Sequence, residues 1–255
     1  MFAKRKSMLA LTMVTCVIVQ LLLVACTKKP EMQAESSIEK IQKEEIQKEE
    51  IVLDKYTIHE KKKMSSVHME CNNHSGSGII WEISDKEIVL MSNRHLMEHS
   101  NTVEVSFASG VYYPAEVVFL SEDYDFALAV INKAEMDKED LELLDAVSYE
   151  SYSEEDMVVG ETLFIISSKE YPADRVLESS LVETASYVET DRLYTPQYMM
   201  LGKLIGTETL SVEAGMSGSG VFNSKGDFVG IVAGGDGNKE YMMVPIWNIL
   251  TGLQN

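Results

Sequence analysis

The residue best placed to do chemistry is a serine in a glycine-rich turn, Gly215-Met216-Ser217-Gly218-Ser219-Gly220. Glycine tolerates positive φ and close backbone approach, so such a turn can hold a hydroxyl outward on a sharp bend. The same bend can direct the N–H groups of Gly215 and Ser217 at one point, as an oxyanion hole requires. A serine hydroxyl is a poor nucleophile without a base, and the base needs an orienting acid. Taken alone, the turn is better explained as a plain bend between strands.

Among the five histidines, His95 is the one placed to act as that base, because it follows an apolar strand predicted over Glu87–Ser92. A residue at a strand end lies on a loop that a rigid element fixes in space. The other four histidines are expected to be solvated: His59, His68 and His74 in or beside a charged segment, and His99 in an exposed turn.

The candidate acid is Asp125, which directly precedes the apolar run Phe126–Ile131. A carboxylate at the mouth of such a strand is partly desolvated, can accept a hydrogen bond from an imidazole and can stabilise the imidazolium. A plain turn residue is the alternative. Asp123 lies close by but has no apolar run immediately behind it, so Asp125 is preferred.

The order His95, Asp125, Ser217 resembles that of the trypsin/chymotrypsin-like serine proteases. The similarity extends from about residue 75 to residue 253 and includes four ordered motifs, which are Ser77-Gly78-Ile79-Ile80, Ser92-Asn93-Arg94-His95, Asp125-Phe126-Ala127-Leu128 and Gly215-Met216-Ser217-Gly218-Ser219. The groups it most resembles are the bacterial HtrA-type proteases without a PDZ domain and the glutamyl-endopeptidase-like secreted proteases. The resemblance implies that Ser217 is the nucleophile, His95 the base and Asp125 its orienting acid. It also implies an oxyanion hole at Gly215 and Ser217, with no metal and no cofactor.

One departure from the family pattern is Met216, where many relatives carry Asp or Asn. In zymogen-activated animal proteases an Asp there pairs with a freshly cut N-terminus, which Met cannot do. We therefore expect no activation of that kind, and packing must hold the turn unless a substrate or partner orders it. A catalytically weak or inactive binding module on the same fold is the alternative.

The resemblance also bears on which substrate residue precedes the cleaved bond, the P1 residue. Trypsin-like relatives that cut after Lys or Arg carry Asp six residues before the nucleophile, and that position is Ser211 here. Glutamyl endopeptidases use a histidine of the second barrel, and no histidine follows His99. A small or apolar P1 residue is the remaining expectation. The predicted pocket residues are Ser211, Val232, Ala233 and Gly234.

The elements that must position these residues are short apolar segments separated by polar turns, from about residue 74 onwards. They predict an all-β sandwich or barrel built from eleven strands. The predicted strands are Gly78–Ile83, Glu87–Ser92, Thr102–Phe107, Ala115–Leu120, Phe126–Ile131, Thr162–Ile166, Val176–Val188, Met199–Gly206, Gly220–Phe222, Phe228–Ala233 and Tyr241–Pro245. An acidic stretch, Lys133–Asp156, divides them into two groups. The resemblance makes these two six-stranded antiparallel barrels of chymotrypsin type, at about residues 74–132 and 157–246. We expect a short C-terminal helix over Ile246–Leu253 and no further module.

Composition excludes some classes of function. The 255 residues carry a net charge of −19, so there is no basic surface to neutralise nucleic-acid phosphates. Of the three cysteines, Cys16 and Cys26 fall in the export segment described next. Cys71 is left without an intrachain partner, so no disulfide framework is expected. The expected partners are protein or peptide substrates, and the sequence does not indicate an oligomeric state.

The N-terminus has the pattern of an export signal. Lys4, Arg5 and Lys6 precede a mostly apolar run that ends in Leu23-Val24-Ala25-Cys26, as in a signal peptide. The last four residues resemble a bacterial lipobox, which implies cleavage after residue 25, lipidation of Cys26 and a location on the outer side of the cell membrane. An uncleaved signal anchor is the alternative, although about 17 residues is near the lower limit for a spanning helix.

Residues 26–73 are expected to form a charged, solvated, partly helical stalk. Ile41-Gln42-Lys43-Glu44-Glu45 is repeated directly as residues 46–50. A period of five rotates about 140° per repeat on an α-helix, so the isoleucines do not form one face. A helix that binds a partner is the minority interpretation. The protease domain is expected to begin at residue 74 and to run to residue 255.

Overall fold

The first barrel is closed by a strand that sequence analysis assigned to the stalk. The computed structural model describes residues 52–149, 152–189, 197–206 and 210–254. Six antiparallel strands form the first barrel, with the neighbour order β1-β2-β3-β6-β5-β4. They are β1 (Ser66–Cys71), β2 (His74–Ile83), β3 (Glu87–Ser92), β4 (Thr102–Ser106), β5 (Tyr112–Leu120) and β6 (Ala127–Asn132).

The second barrel has the same organisation, in the neighbour order β10-β11-β12-β9-β8-β7. The strands are β7 (Thr162–Ser167), β8 (Arg175–Val188), β9 (Gln197–Leu204), β10 (Gly220–Asn223), β11 (Phe228–Gly235) and β12 (Glu240–Pro245). Four α-helices are described, namely α1 (Lys55–Lys62), α2 (Arg94–Met97), α3 (Lys138–Leu141) and α4 (Ile246–Gly252), with 3₁₀ turns at Lys63–Ser65, Lys133–Glu135 and Glu154–Asp156. The predicted all-β fold of two six-stranded barrels with a C-terminal helix is confirmed.

Three apolar clusters hold these elements together. One fills the first barrel and another fills the second. The third joins the barrels, because it contains Ile79 and Met91 from the first and Phe222 and Ile231 from the second. Apolar burial drives this association. The two barrels are therefore packed against each other through a continuous apolar interface.

The predicted boundary between stalk and domain is wrong. In β1, Val67, Met69 and Cys71 alternate inward and are 0%, 0% and 4% exposed. These apolar side chains at every second position face the core of the first barrel, as the alternation of a strand requires, although charged residues before β1 obscure the pattern in the sequence. Pairing of β1 with β2 and β4 closes the barrel. The first barrel thus spans residues 66–132 rather than 74–132, and the second-barrel strands span residues 162–245.

His68 also differs from its predicted solvated state. Its side chain lies in β1 and is buried, with Nδ1 2.7 Å from the carbonyl oxygen of Ser168. A ring nitrogen facing a carbonyl must be the donor. His68 therefore links the first barrel to the end of β7 in the second.

Helix α1 packs on the second barrel just before the chain enters the first. Asp54 caps it by accepting hydrogen bonds from the N–H groups of Tyr56 and Thr57, as an N-cap carboxylate does. Ile58 is fully buried, and the N–H of Leu53 donates to the carbonyl of Ser224 at 2.8 Å. The end of the predicted stalk is therefore part of the folded domain.

The export segment, Cys26 and the rest of the predicted stalk up to residue 51 lie outside the described residues. Among the described helices, none is both long and apolar enough to cross a membrane.

Replacing Ile58 with Ala should lower the free energy of unfolding by about 2–4 kcal/mol, because it removes a fully buried side chain and leaves a cavity. The control is Tyr56→Ala on the same helix, where the side chain is 68% exposed, with an expected change within about 0.5 kcal/mol. Urea denaturation followed by tryptophan fluorescence measures both. Equal stability of the two variants would contradict the packing of α1 on the barrel.

Candidate active site

His95 and Asp125 are joined by two hydrogen bonds. The imidazole Nδ1 lies 2.8 Å from Asp125 Oδ2, and the His95 backbone N–H donates to Oδ1 at 3.0 Å. A carboxylate accepts only, so Nδ1 carries the proton in this pair. Nε2 is therefore the nitrogen left to accept a proton from another group. The arrangement fixes both the orientation and the tautomer of the His95 ring.

The strands explain why these two residues meet. His95 lies in α2 after β3, and Asp125 lies before β6, which is paired with β3 in a register that sets Ser92 opposite Ala127. The Asn93 side chain donates to the Asp125 carbonyl at 2.9 Å and ties the two loops together. Asp125 is only 4% exposed, whereas Asp123 is exposed. Of these two aspartates, Asp125 is the one in contact with His95.

The turn that carries Ser217 is a type II turn followed by a second sharp bend. The N–H of Met216 donates to the Glu213 carbonyl at 3.2 Å, and Gly215 has φ of +93° at the third position. A type II turn requires positive φ there, which glycine adopts without strain. Gly218, with φ of +83°, bends the chain again directly after the serine.

From Gly215 to Gly218 the backbone N–H groups alternate between unbonded and bonded, and the next one, of Ser219, is bonded as well. Those of Met216, Gly218 and Ser219 donate to the carbonyls of Glu213, Val232 and Met216 at 3.2, 2.8 and 3.0 Å. Those of Gly215 and Ser217 have no acceptor among the described residues. An oxyanion-binding site needs two such unbonded N–H groups close together, here that of the serine itself and that of the residue two positions before it.

Met216 holds the turn by packing. Its side chain is 0% exposed and belongs to the apolar cluster inside the second barrel. Its sulfur lies 3.4 Å from the N–H of Glu213, within reach of a weak hydrogen bond. The side chain therefore anchors both ends of the type II turn with no ionic partner.

A second anchor of the turn is ionic. The Lys169 ammonium pairs with the Glu213 carboxylate, and Arg175 Nη1 lies 3.5 Å from the other carboxylate oxygen. The hydrogen bond from Lys169, followed by the charges of Lys169 and Arg175, holds the pKa of Glu213 below its usual value. The Lys169 stem covers Gly215, since a Cβ there would lie 2.8 Å from Lys169 Cγ. Both sides of the turn are thus tied to the second barrel.

Ser217 approaches the His95 loop from the second barrel. Gly76 of β2 lies between them, because a Cβ at that position would be 2.8 Å from Leu96 Cδ2 and 3.3 Å from the Ser217 carbonyl oxygen. Within the described part of the chain, the Ser217 hydroxyl forms no hydrogen bond with the His95 ring. Such bonds are often long in unliganded sites and shorten when substrate binds.

The predicted pocket residues differ in accessibility. Ser211 and Gly234 are partly exposed, whereas Ala233 is 8% and Val232 0% exposed. Val232 cannot touch a ligand in this conformation, because its side chain packs inside the second barrel. A cavity of about 300 Å³ lies beyond these residues, at the end of β11. It is lined by Val182, Val188, Leu201, Gly202, Gly235, Asp236, Glu240, Tyr241 and Met242.

The described residues include no cluster of His, Cys, Asp or Glu that could hold a metal ion. Sequence reasoning missed the contacts of Ser77 and Ser92, which meet the turn that carries Ser217 from the first barrel, Ser77 at Gly215 and Ser92 at Gly218. Both residues lie in motifs that carried the family resemblance, but a motif does not reveal which group across the barrel interface a hydroxyl will meet.

Comparisons with known proteins agree with this geometry. The family model described as the trypsin-like peptidase domain matches residues 76–231. No curated protein is similar enough in sequence to count as a match.

Several solved structures share the fold. The inactive form of the Rv3671c protease of M. tuberculosis has 14% identity and a TM-score of 0.59, covering 77% of this chain and 91% of that one. Deg5 has 18% identity and a TM-score of 0.58, with 77% and 90% covered. The HtrA-type protease AlgW with a decapeptide has 12% identity and a TM-score of 0.60, with 79% and 67% covered.

At such low identity, these structures show a common fold, with the paired barrels of the present chain. The family model spans more than half of the sequence and includes His95, Asp125 and Ser217. The chain belongs to the trypsin-like peptidase family.

Proposed function

We propose that this serine endopeptidase of the trypsin-like family hydrolyses peptide bonds through a triad of Ser217, His95 and Asp125. The observation that carries the proposal is the alternation of bonded and free N–H groups around Ser217. Between Gly215 and Gly218, the N–H groups of Met216 and Gly218 are bonded, whereas those of Gly215 and Ser217 have no acceptor among the described residues. A pre-formed pair of donors stabilises the oxyanion of acyl transfer without reorganisation.

In this mechanism, Ser217 Oγ attacks the scissile carbonyl carbon while His95 Nε2 takes its proton. The carbonyl oxygen becomes an oxyanion bound by the N–H groups of Gly215 and Ser217. His95 then gives the proton to the leaving amine, and the carbon–nitrogen bond breaks to leave an acyl-enzyme. A water molecule, deprotonated by His95, hydrolyses the ester and regenerates the serine. Asp125 holds Nδ1–H and stabilises the imidazolium, as in other triads.

The substrate backbone has a place to bind along β11. The ladder between β10 and β11 ends at Ile231, and a bulge in the β11–β12 pairing falls at Ala233. No described strand pairs with residues 233–235 on the β10 side. Such an edge accepts an extended peptide as an added strand. A peptide added at this edge would run beside the turn that carries Ser217, because Val232 is bonded to Gly218 and Ser219 of that turn.

The P1 residue is proposed to be small or apolar. Ser211 supplies no charge. Val212, five residues before Ser217, packs against Gly235 of β11 and fills the space between the two segments. A Cβ at Gly235 would lie 2.6 Å from Val212 Cγ1, and the Val212 N–H is fixed to the Asn238 carbonyl at 2.6 Å. A large P1 side chain would have to displace this valine.

The protein is further proposed to act outside the cytoplasm, anchored to the membrane through lipid on Cys26. The support is the sequence of the N-terminal segment, with its basic residues, apolar run and Leu-Val-Ala-Cys ending. Two or three acyl chains give durable anchoring. The folded domain would act on proteins or peptides at that surface.

A second candidate function is a tethered binding module with weak or no turnover. It is favoured by one observation, which is that the Ser217 hydroxyl forms no hydrogen bond with the His95 ring among the described residues. The same free edge of β11 would then hold a peptide without cleaving it.

Labelling by a fluorophosphonate probe, together with cleavage of a peptide library, separates the two functions. Wild type should be labelled and active, and Ser217→Ala should not be labelled. Asp125→Asn should lose roughly 10⁴-fold in kcat, because an amide that donates to Nδ1 reverses the His95 tautomer and leaves Nε2 protonated. The control is Asp123→Asn, an exposed carboxylate two residues away, which should match wild type. A folded but unlabelled wild type supports the binding module, and cleavage by Ser217→Ala rejects the assigned nucleophile.

Val212→Ala should widen the P1 preference. We expect the ratio of kcat/KM for Leu at P1 to that for Ala at P1 to rise by about 10-fold, which is the effect of one or two methylenes in an apolar site. The control is Val158→Ala, where the side chain is 65% exposed. An unchanged ratio in Val212→Ala means that Val212 does not limit the pocket.

Cys26→Ser should move the protein from the detergent phase to the aqueous phase in a phase-separation assay, because the acylated thiol is lost. Cys16→Ser is the matched control and should stay with the detergent. If Cys26→Ser also stays in the detergent phase, the uncleaved signal anchor is the better explanation.

A further inference from the structure

Ser77 of β2 is a buried serine whose four hydrogen-bonding partners all lie outside its own strand. It is 0% exposed. Its N–H donates to the Ser217 carbonyl at 2.8 Å, and its hydroxyl donates to the Gly215 carbonyl at 3.1 Å. Its hydroxyl accepts from the N–H of Ser168 at 2.8 Å, and its carbonyl accepts from the Ser92 hydroxyl at 2.6 Å.

The first two bonds fix alternate peptides of the nucleophile turn. The Gly215–Met216 peptide is held at its oxygen by the Ser77 hydroxyl and at its nitrogen by the Glu213 carbonyl. The Ser217–Gly218 peptide is held at its oxygen by the Ser77 N–H and at its nitrogen by the Val232 carbonyl. The free N–H groups of Gly215 and Ser217 belong to the peptides next to these. Fixing the bonded peptides therefore determines where the free donors point.

The other two bonds tie this turn to its surroundings. Ser92 is three residues before His95, so its hydroxyl links Ser77 to the loop that carries the base. Ser168 directly follows β7 of the second barrel, and its carbonyl accepts from His68 of the first. Ser77 thus lies where the base loop, the nucleophile turn and both barrels meet.

We propose that Ser77 is a positioning residue of this active site, which sets the direction of the two oxyanion-binding N–H groups and the placement of Ser217 relative to His95. The inference rests on the proposed function. Ser77 does not touch the reacting atoms. Its hydroxyl acts through the Gly215 carbonyl, and its backbone N–H acts through the Ser217 carbonyl.

Replacement by Ala tests the hydroxyl alone. Ser77→Ala keeps the Cβ and the backbone bond to Ser217, but it leaves the Gly215 carbonyl and the Ser168 N–H without their partner. Small misplacements of catalytic groups cost up to about 100-fold in rate, so kcat should fall by roughly 10- to 100-fold while KM stays within about 3-fold. The affinity for a peptide aldehyde, which binds as a hemiacetal oxyanion, should fall in parallel with kcat/KM. The affinity for a product peptide should stay unchanged.

The matched control is Ser179→Ala. Ser179 is also 0% exposed, and its hydroxyl makes two hydrogen bonds, to the Leu163 carbonyl and the Tyr241 hydroxyl, inside the second barrel. In urea denaturation, Ser179→Ala should lose about as much free energy of unfolding as Ser77→Ala, and its kcat should equal that of wild type. An equal loss of kcat in both variants, or a change in KM alone for Ser77→Ala, would show that Ser77 has only a structural role.

Amide hydrogen exchange of residues 211–219 gives a readout that does not need turnover. Exchange in this segment should rise in Ser77→Ala and stay at the wild-type level in Ser179→Ala. If wild type neither labels nor cleaves, the proposed function fails, and the exchange result still decides the role of Ser77. An active wild type with unchanged kcat and exchange in Ser77→Ala rejects the positioning role alone.

If Ser77→Ala does not fold, Ser77→Cys provides the decision. It is close in size to serine and keeps the backbone bond to Ser217, but a thiol is a weak donor and a weak acceptor, so the bond to the Gly215 carbonyl is weakened. A fall in kcat with unchanged KM and faster exchange at residues 211–219 supports the proposal. Wild-type kcat and exchange in Ser77→Cys reject it.

Discussion

The catalytic candidates lie on two different barrels, and the barrels meet at a contact that only glycine permits. A Cβ at Gly218 would lie 1.9 Å from the Ser77 carbonyl oxygen and 2.2 Å from Ser92 Oγ. No side chain tolerates such distances, so the backbone after Ser217 can lie directly against the first barrel only because residue 218 has none. The hydrogen bonds of Ser77 and the interface around Ile79 and Phe222 follow from this approach. The position of Ser217 relative to His95 is therefore set by packing between the barrels.

Much of this arrangement could be predicted from the sequence, because its signals are local. The glycines around Ser217, the strand before His95 and the apolar run after Asp125 each mark a turn or a strand end. Eleven strands were predicted from short apolar runs, and all eleven are present. The pairing of His95 with Asp125 is harder to foresee, since it depends on the register of β3 against β6. Family resemblance supplied that part.

What the sequence did not predict depends on contacts between distant segments. The strand β1 was taken as stalk because lysines precede it, although Val67, Met69 and Cys71 alternate inward. Val232 was expected to line a pocket, but its side chain points into the barrel, since adjacent residues of a strand face opposite sides. Met216 lacks the charge that many relatives carry, and its buried side chain holds the turn by apolar packing beside the ion pair of Lys169 with Glu213. None of these outcomes follows from residue type alone.

The route of the chain through α1 has a mechanical consequence. Tension on the residues before Leu53 first loads the Leu53–Ser224 hydrogen bond and the contact of Ile58 with the second barrel. These must break before force reaches β1, which two ladders hold on either side. A pull on the chain before Leu53 is therefore expected to detach α1 from the second barrel first. The strands of the first barrel remain paired while this contact breaks.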